Sequence, residues 1–327
     1  MDRGMTPVAD PRDVLKPALA SPVCPVCKSA EVQHWARAKD VEYYTSADWF
    51  DYFRCEPCDV LFLSPLPADR LSEIYPSNYY AYAQSGRSFV QRVKSWLDQR
   101  GLRRILREIA GDRLSALDIG GGTGEILNQV RAVDSRVRFT QVVDLDPKAE
   151  QIALSRGHAY ARSRIEDFPA DRSFDLILLL NLIEHVEDPI SVLRKAGSML
   201  APQGRMLVKT PNFDSLDARL FRHRSWGGYH CPRHWTLFTA QSFERAASAA
   251  GLRVNRISYT QGAPFWAISI FELLRKAGWV KASADAPAPF HPLIPVLQGV
   301  FAFLDLARTP FSHTSQIFVE LSRGPGL

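Results

Sequence analysis

The stretch Ala116-Leu117-Asp118-Ile119-Gly120-Gly121-Gly122-Thr123-Gly124-Glu125 constrains this chain more than any other. Small and apolar residues lead into an acid, a glycine cluster follows, and Ile126, Leu127 and Val130 recur at helical spacing. The segment therefore reads as strand, tight loop and helix, the first βα turn of a nucleotide-binding α/β fold. Glycines belong there because they admit positive φ and let a ligand approach the backbone closely. A dinucleotide fingerprint beginning at Gly120 would need its third glycine at position 125, where Glu125 stands and its carboxylate opposes a pyrophosphate.

The run instead resembles motif I of the class I S-adenosylmethionine (SAM)-dependent methyltransferases. That resemblance implies a cofactor site at Asp118, Gly120, Gly122 and Gly124. Arg138 to Val143 reads as a second strand, closed by Asp144 at the distance where an acid accepts hydrogen bonds from both ribose hydroxyls, with Leu145 beside it. After the third strand the family often has an acidic residue where this chain has Arg164, so adenine contact is expected from Ile165 or Glu166. Phe174 to Asn181 is almost continuously apolar, as a parallel strand buried on both faces should be. Asn181 to Pro189 looks like the motif IV region of small-molecule methyltransferases, and Ala201 to Gly204 like the turn before a fifth strand, Arg205 to Asn212. The resemblance implies a Rossmann-like α/β fold with a seven-stranded sheet over residues 111–327.

The 327 residues, 46% hydrophobic and 23% charged, suffice for that core and an accessory unit. The net charge of +5 is scattered, which argues against a nucleic-acid partner. Residues 1–20 lack an apolar signal region and read as a disordered leader of a cytoplasmic protein. Cys24-Pro25-Val26-Cys27 and Cys55-Glu56-Pro57-Cys58 form two C-x-x-C knuckles, with Cys231 far away. Paired knuckles suit tetrahedral thiolate ligation of a structural zinc in a ribbon-like β unit, residues 21–66. A redox pair would need one such motif on a βα turn, and disulfides suit an exported chain. Residues 67–110 read as a linker and N-terminal helices, including a helix from Phe89 to Ile109. Knuckles, Pro65-Leu66-Pro67 and the tyrosines Tyr75, Tyr79 and Tyr80 ahead of a SAM domain resemble bacterial sugar and surface-glycan methyltransferases. This resemblance implies a small-molecule acceptor such as a nucleotide- or lipid-linked sugar.

Between Asn212 and Phe238 the chain is dense in aromatics and histidines and reads as an irregular loop over the ligand crevice. His234, His230 and, after the fourth strand, His185 are the candidates for a general base. A neutral histidine, with an ordinary pKa of about 6.5, suits removal of a hydroxyl proton. Arg224 and Arg233 are candidates for reading a phosphate or carboxylate. Thr239 should cap a helix that Gly251 ends. The last two strands, Leu252 to Tyr259 and Ser315 to Leu321, enclose an insertion, 262–313, with apolar runs Phe265 to Leu274 and Leu293 to Leu304. Both are shorter than the ~20 residues of a membrane span, yet too apolar to face water. They are expected to cover the substrate pocket, a second subunit or the inner face of a membrane. The reading is methyl transfer to a hydroxyl, with three rivals: C-methylation of a keto-sugar, a nucleic-acid-binding zinc module with a non-catalytic SAM fold, and a dehydrogenase, which Glu125 disfavours.

Overall fold

A computed structural model describes residues 21–76 and 99–325. Its eleven described strands are β1 Val32–Ala38, β2 Phe50–Cys55, β3 Leu61–Leu63, β4 Leu114–Ile119, β5 Val137–Asp144, β6 Ala159–Arg162, β7 Phe174–Leu180, β8 Leu200–Pro211, β9 Thr236–Leu237, β10 Leu252–Thr260 and β11 Gln316–Arg323. The helices that matter here are α1 Glu125–Val133, α2 Pro147–Ser155, α3 Pro189–Ser198, α4 Leu216–Phe221, α5 Ala240–Ala249, α6 Ala263–Lys276 and α7 Leu293–Arg308.

Seven strands form one sheet in the order β10-β11-β8-β7-β4-β5-β6. The β4–β5, β5–β6, β4–β7 and β7–β8 pairs are parallel, and β11 runs antiparallel to β8 and β10. From β4 the chain winds outward through β5 and β6, then returns to β7 and winds the other way. The switch point therefore lies between β4 and β7, where doubly wound sheets hold their ligands. Leu176 to Leu179 in β7 are buried, as the apolar run requires. The turn read at Ala201 to Gly204 lies within β8 instead. Phe174 pairs with Leu200 but Leu176 with Arg205, so the surplus residues bulge from the ladder.

Local sequence sets the helix starts. Asp146 caps α2 through the Lys148 N–H, Asp188 caps α3 through Ile190 and Ser191, and each is followed by a proline at the first helical position. Thr239 and Ser242 form a capping box on α5. Helical residues 99–107 lie before β4, with Leu102, Ile105 and Leu106 buried together with Ile109. The proposed leader, Tyr79, Tyr80 and the start of the helix read from Phe89 lie outside the described residues.

The second sheet, β1-β2-β3-β9, differs from the expected ribbon. Its fourth strand comes from the segment read as irregular: Leu61 pairs with Leu237 and Phe62 with Thr236. The knuckle-bearing unit is thus completed by the second half of the chain. The insertion also divides unequally. In α6, Trp266, Ala267, Ile268 and Phe271 are buried, and Trp266 stacks on Phe301 with ring centroids 4.9 Å apart. In α7 only Ile294 and Asp305 are buried, Asp305 accepting the Gly262 N–H at 2.8 Å. Val296, Val300 and Phe303, spaced along one helical face, are 60%, 51% and 73% exposed. Among the described residues no helix is long and apolar enough to cross a membrane.

Candidate active site

Gly120, Gly122 and Gly124 all have left-handed backbones, with φ of +71°, +50° and +72°. Their surroundings differ. A Cβ on Gly124 would lie 2.5 Å from His158 Cδ2, whereas one on Gly122 would meet nothing within 4 Å. Gly124 is therefore fixed by the core beneath it, and Gly122 faces open space at the switch point. The Asp144 carboxylate ties this loop to the end of β5, accepting the Gly122 N–H at 2.8 Å on one oxygen and the Leu145 and Asp146 N–H groups at 2.6 and 3.1 Å on the other. Leu145 beside it is 58% exposed, a large apolar side chain at the rim of the crevice. Asp118 lies under Gly121, and burial, then the neighbouring Asp144, push its carboxyl up to about 8. In the turn after β6, Ile165 is buried and Glu166 exposed. Asn181 ends β7 with φ +57°, its side chain held by Gln316 Nε2 at 3.0 Å.

His158 escaped the sequence reading. Its Nδ1 meets Thr140 Oγ1 at 2.8 Å and its Nε2 Asn128 Oδ1 at 3.1 Å, and burial lowers its pKa to about 4. It is a neutral strut under the glycine loop.

The three candidate histidines converge. Ring centroids of His185 and His234 are 4.7 Å apart, and those of His230 and His234 4.9 Å. This cluster borders the glycine loop, because Leu182, three residues before His185, packs where a Gly120 Cβ would go, 2.9 Å away. Two backbone bonds hold it: the Trp235 N–H donates to Glu184 O at 2.7 Å, and the Leu63 N–H to Trp235 O at 2.9 Å. His185 Nδ1 lies 3.0 Å from Arg233 O and 3.0 Å from the Tyr75 hydroxyl. His234 Nδ1 lies 2.8 Å from Gly228 O. A carbonyl only accepts, so each Nδ1 carries the proton and each Nε2 the lone pair. Burial, together with neighbouring histidines, lowers His185 to about 3 and takes His234 well below the ordinary histidine range. His230 differs: its Nδ1 faces Glu42 Oε1 at 2.7 Å.

Glu42, Glu184 and Asp40 were not singled out from sequence. Glu184 lies in the motif IV region after a buried strand, whereas Asp40 and Glu42 come from a distant segment with no sequence signal of their role. Arg233 corrects an expectation. It is fully buried, bonded to Asp40 at 2.8 Å and to Ile74 O at 2.7 Å, so it ties the histidine cluster together and does not read an anion. Burial alone would raise the Asp40 carboxyl, but the Arg233 charge and hydrogen bonds from Arg233, Tyr43 and Thr45 outweigh it and hold the group at about 2. Arg224 is exposed.

The knuckles also converge. Cys24 Sγ lies 3.5 Å from Cys58 Sγ and Cys27 Sγ 3.4 Å from Cys55 Sγ, with all four sulfurs within 4.8 Å of one another. Zn–S bonds of ~2.3 Å place sulfurs ~3.8 Å apart in a tetrahedron, so the set fits one ion with no open position. Cys231 is buried elsewhere, in the core below the small sheet.

A family model described as a methyltransferase domain matches residues 89–257, just over half of the chain. Among curated proteins, the chain is 34% identical over 117 residues to a ubiquinone biosynthesis O-methyltransferase of Nitrobacter winogradskyi, covering 33% of this chain and 42% of that one. A protein of the same name from Rhodopseudomonas palustris is 27% identical over 199 residues, covering 58% of this chain and 65% of the relative. The chain thus spans less than two thirds of the length of these relatives. Among solved structures, it is similar to the N-methyltransferase NodS of Bradyrhizobium japonicum in complex with S-adenosyl-L-homocysteine, at 15% identity and TM-score 0.43, over 77% of this chain and 94% of that one.

Proposed function

Since the chain belongs to the methyltransferase-domain family, we propose that it is a SAM-dependent methyltransferase that methylates a hydroxyl oxygen of a small polar acceptor held against the histidine cluster. The observation that carries this is the junction between the two halves of the site: residues 181–185 touch the glycine loop at one end and supply His185 to the cluster at the other.

The residues present fit SAM. Gly122 leaves room for a ligand, Asp144 is the ribose acceptor, and Leu145, with Ile165 or Glu166, borders the adenine. Bound there, SAM supplies a methyl group made electrophilic by its sulfonium. The chain's part is to align the acceptor, exclude water and remove a proton. His230, oriented by the Glu42 carboxylate, would take the hydroxyl proton as the acceptor oxygen gains the methyl group. His185 and His234 are poor bases near neutral pH because burial holds them so weakly basic. Cys24, Cys27, Cys55 and Cys58 hold a structural zinc that locks the small sheet against α5.

The acceptor belongs to one of two classes. The resemblance of the N-terminal region favours a sugar hydroxyl on a nucleotide or lipid carrier. The names of the curated relatives favour a hydroxyl on a ring that bears an apolar tail. SAM with nucleotide sugars, lipid-linked sugars and polyprenyl diphenols, assayed by product mass, separates them; no methylated oxygen product in any arm refutes oxygen transfer. Asp144→Ala should weaken SAM binding by about 1.5–3 kcal/mol in calorimetry, and wild-type affinity in that variant would remove Asp144 from the site.

A further inference from the structure

Glu184 poses a problem that methyl transfer alone does not resolve. It is fully buried; one carboxylate oxygen accepts the Thr210 hydroxyl at 3.0 Å, and the other has no hydrogen-bond partner. A buried polar oxygen without a partner is costly. The unpartnered oxygen points to His234 Nε2, 4.0 Å away. One donor atom each from Glu184, His185 and His234 lies within 4.8 Å of the others.

We propose that Glu184, His185 and His234 form a binding site for one divalent transition-metal ion, separate from the four cysteines. Several independent features agree. The donor set, two imidazoles and one carboxylate, is that of open catalytic sites for zinc and related ions. Both imidazoles donate Nδ1–H to backbone carbonyls, of Arg233 and Gly228, the outer contact that metal-binding histidines use to present Nε2. Around an ion with bonds of ~2.0–2.2 Å the donor atoms would sit ~3–3.5 Å apart, so closure takes movements of about an ångström.

Three protein ligands leave positions for a substrate oxygen. The ion deepens the methyl-transfer reading, and for this role it rests on that reading: an acceptor hydroxyl bound to it would be more acidic and would yield its proton to His230 more readily. A vicinal pair of oxygens, as in a diol, suits two open positions best.

The test counts metal on the full-length protein, loaded with Zn2+ and then desalted. Wild type should retain about one equivalent more than Glu184→Gln and His234→Asn, measured on samples that still bind SAM. Should both variants fail to fold, Co2+-loaded wild type decides: it should show weak nitrogen- and oxygen-ligated visible bands beyond the intense thiolate charge-transfer bands of the cysteine site. Equal metal content in wild type and the folded variants, or a purely thiolate Co2+ spectrum, overturns the site. SAM calorimetry on the same samples keeps the two readings apart. SAM binding without the extra equivalent rejects the metal alone, and wild type that binds metal but not SAM rejects the methyl-transfer reading alone.

Discussion

Gly122 and Gly124 look interchangeable in the sequence and are not. Alanine at either forces a left-handed backbone, at ~1–2 kcal/mol. Only at Gly124 does the new methyl also strike His158, adding ~1–3 kcal/mol of overpacking. Thermal melts should therefore rank Gly124→Ala below Gly122→Ala, while calorimetry should find Gly122→Ala folded but impaired in SAM binding. Equal melting temperatures would contradict the packing described for Gly124. Asp40 and Arg233 give a second residue-scale test. The folded Asp40 carboxyl sits near 2, below the ordinary ~3.9, so its contribution is present above about pH 4 and disappears as pH falls toward 2, ~2 kcal/mol in all. Asp40→Asn should flatten that part of the acid denaturation profile. Arg233→Met should be the worse change, ~3–5 kcal/mol in urea unfolding, because it strands a buried carboxylate.

At the scale of elements, the knuckles and the two insertion helices show what a sequence can and cannot reveal. The glycine turn and the cap at Thr239 were legible because each depends on residues within a few positions. Trp266 in α6 and Phe303 in α7 lie in runs of similar hydropathy, yet one is buried and the other 73% exposed, a difference set by neighbours far away in the chain. Arg233 misled for the same reason, since its partner Asp40 is 193 residues distant. The four-cysteine knuckles carry an element-scale expectation. A mercurial reagent should release about one zinc per chain as four thiols are titrated, and Cys55→Ser should abolish that release. Thiols titrating with no zinc released would refute the assignment.

On the scale of the whole molecule, the exposed face of α7 is the feature most in need of an occupant. Arg308 at the end of that helix pairs with Asp305, and Arg275 and Lys276 at the end of α6 pair with Glu272, so apolar area rather than free positive charge is what this face offers a membrane. We expect peripheral contact with a bilayer through Val296, Val300 and Phe303. Deleting the insertion would be a poor test, because α6 carries part of the core; Val300→Glu with Phe303→Glu leaves that core intact. Wild type should float with phosphatidylglycerol vesicles and the double variant should not. If both sediment and wild type instead elutes as a dimer that the variant loses, the face meets a second copy of the chain.

The pairing of Phe62 with Thr236 has a bearing on how the protein is made. A ribosome delivers the cysteine knuckles first, but the strand that closes their sheet follows only after more than 170 further residues. The amino-terminal unit must therefore spend most of synthesis with one sheet edge unpaired. Zinc captured early would hold its four sulfurs together through that interval, while the edge waits for a partner that is made only after most of the large sheet.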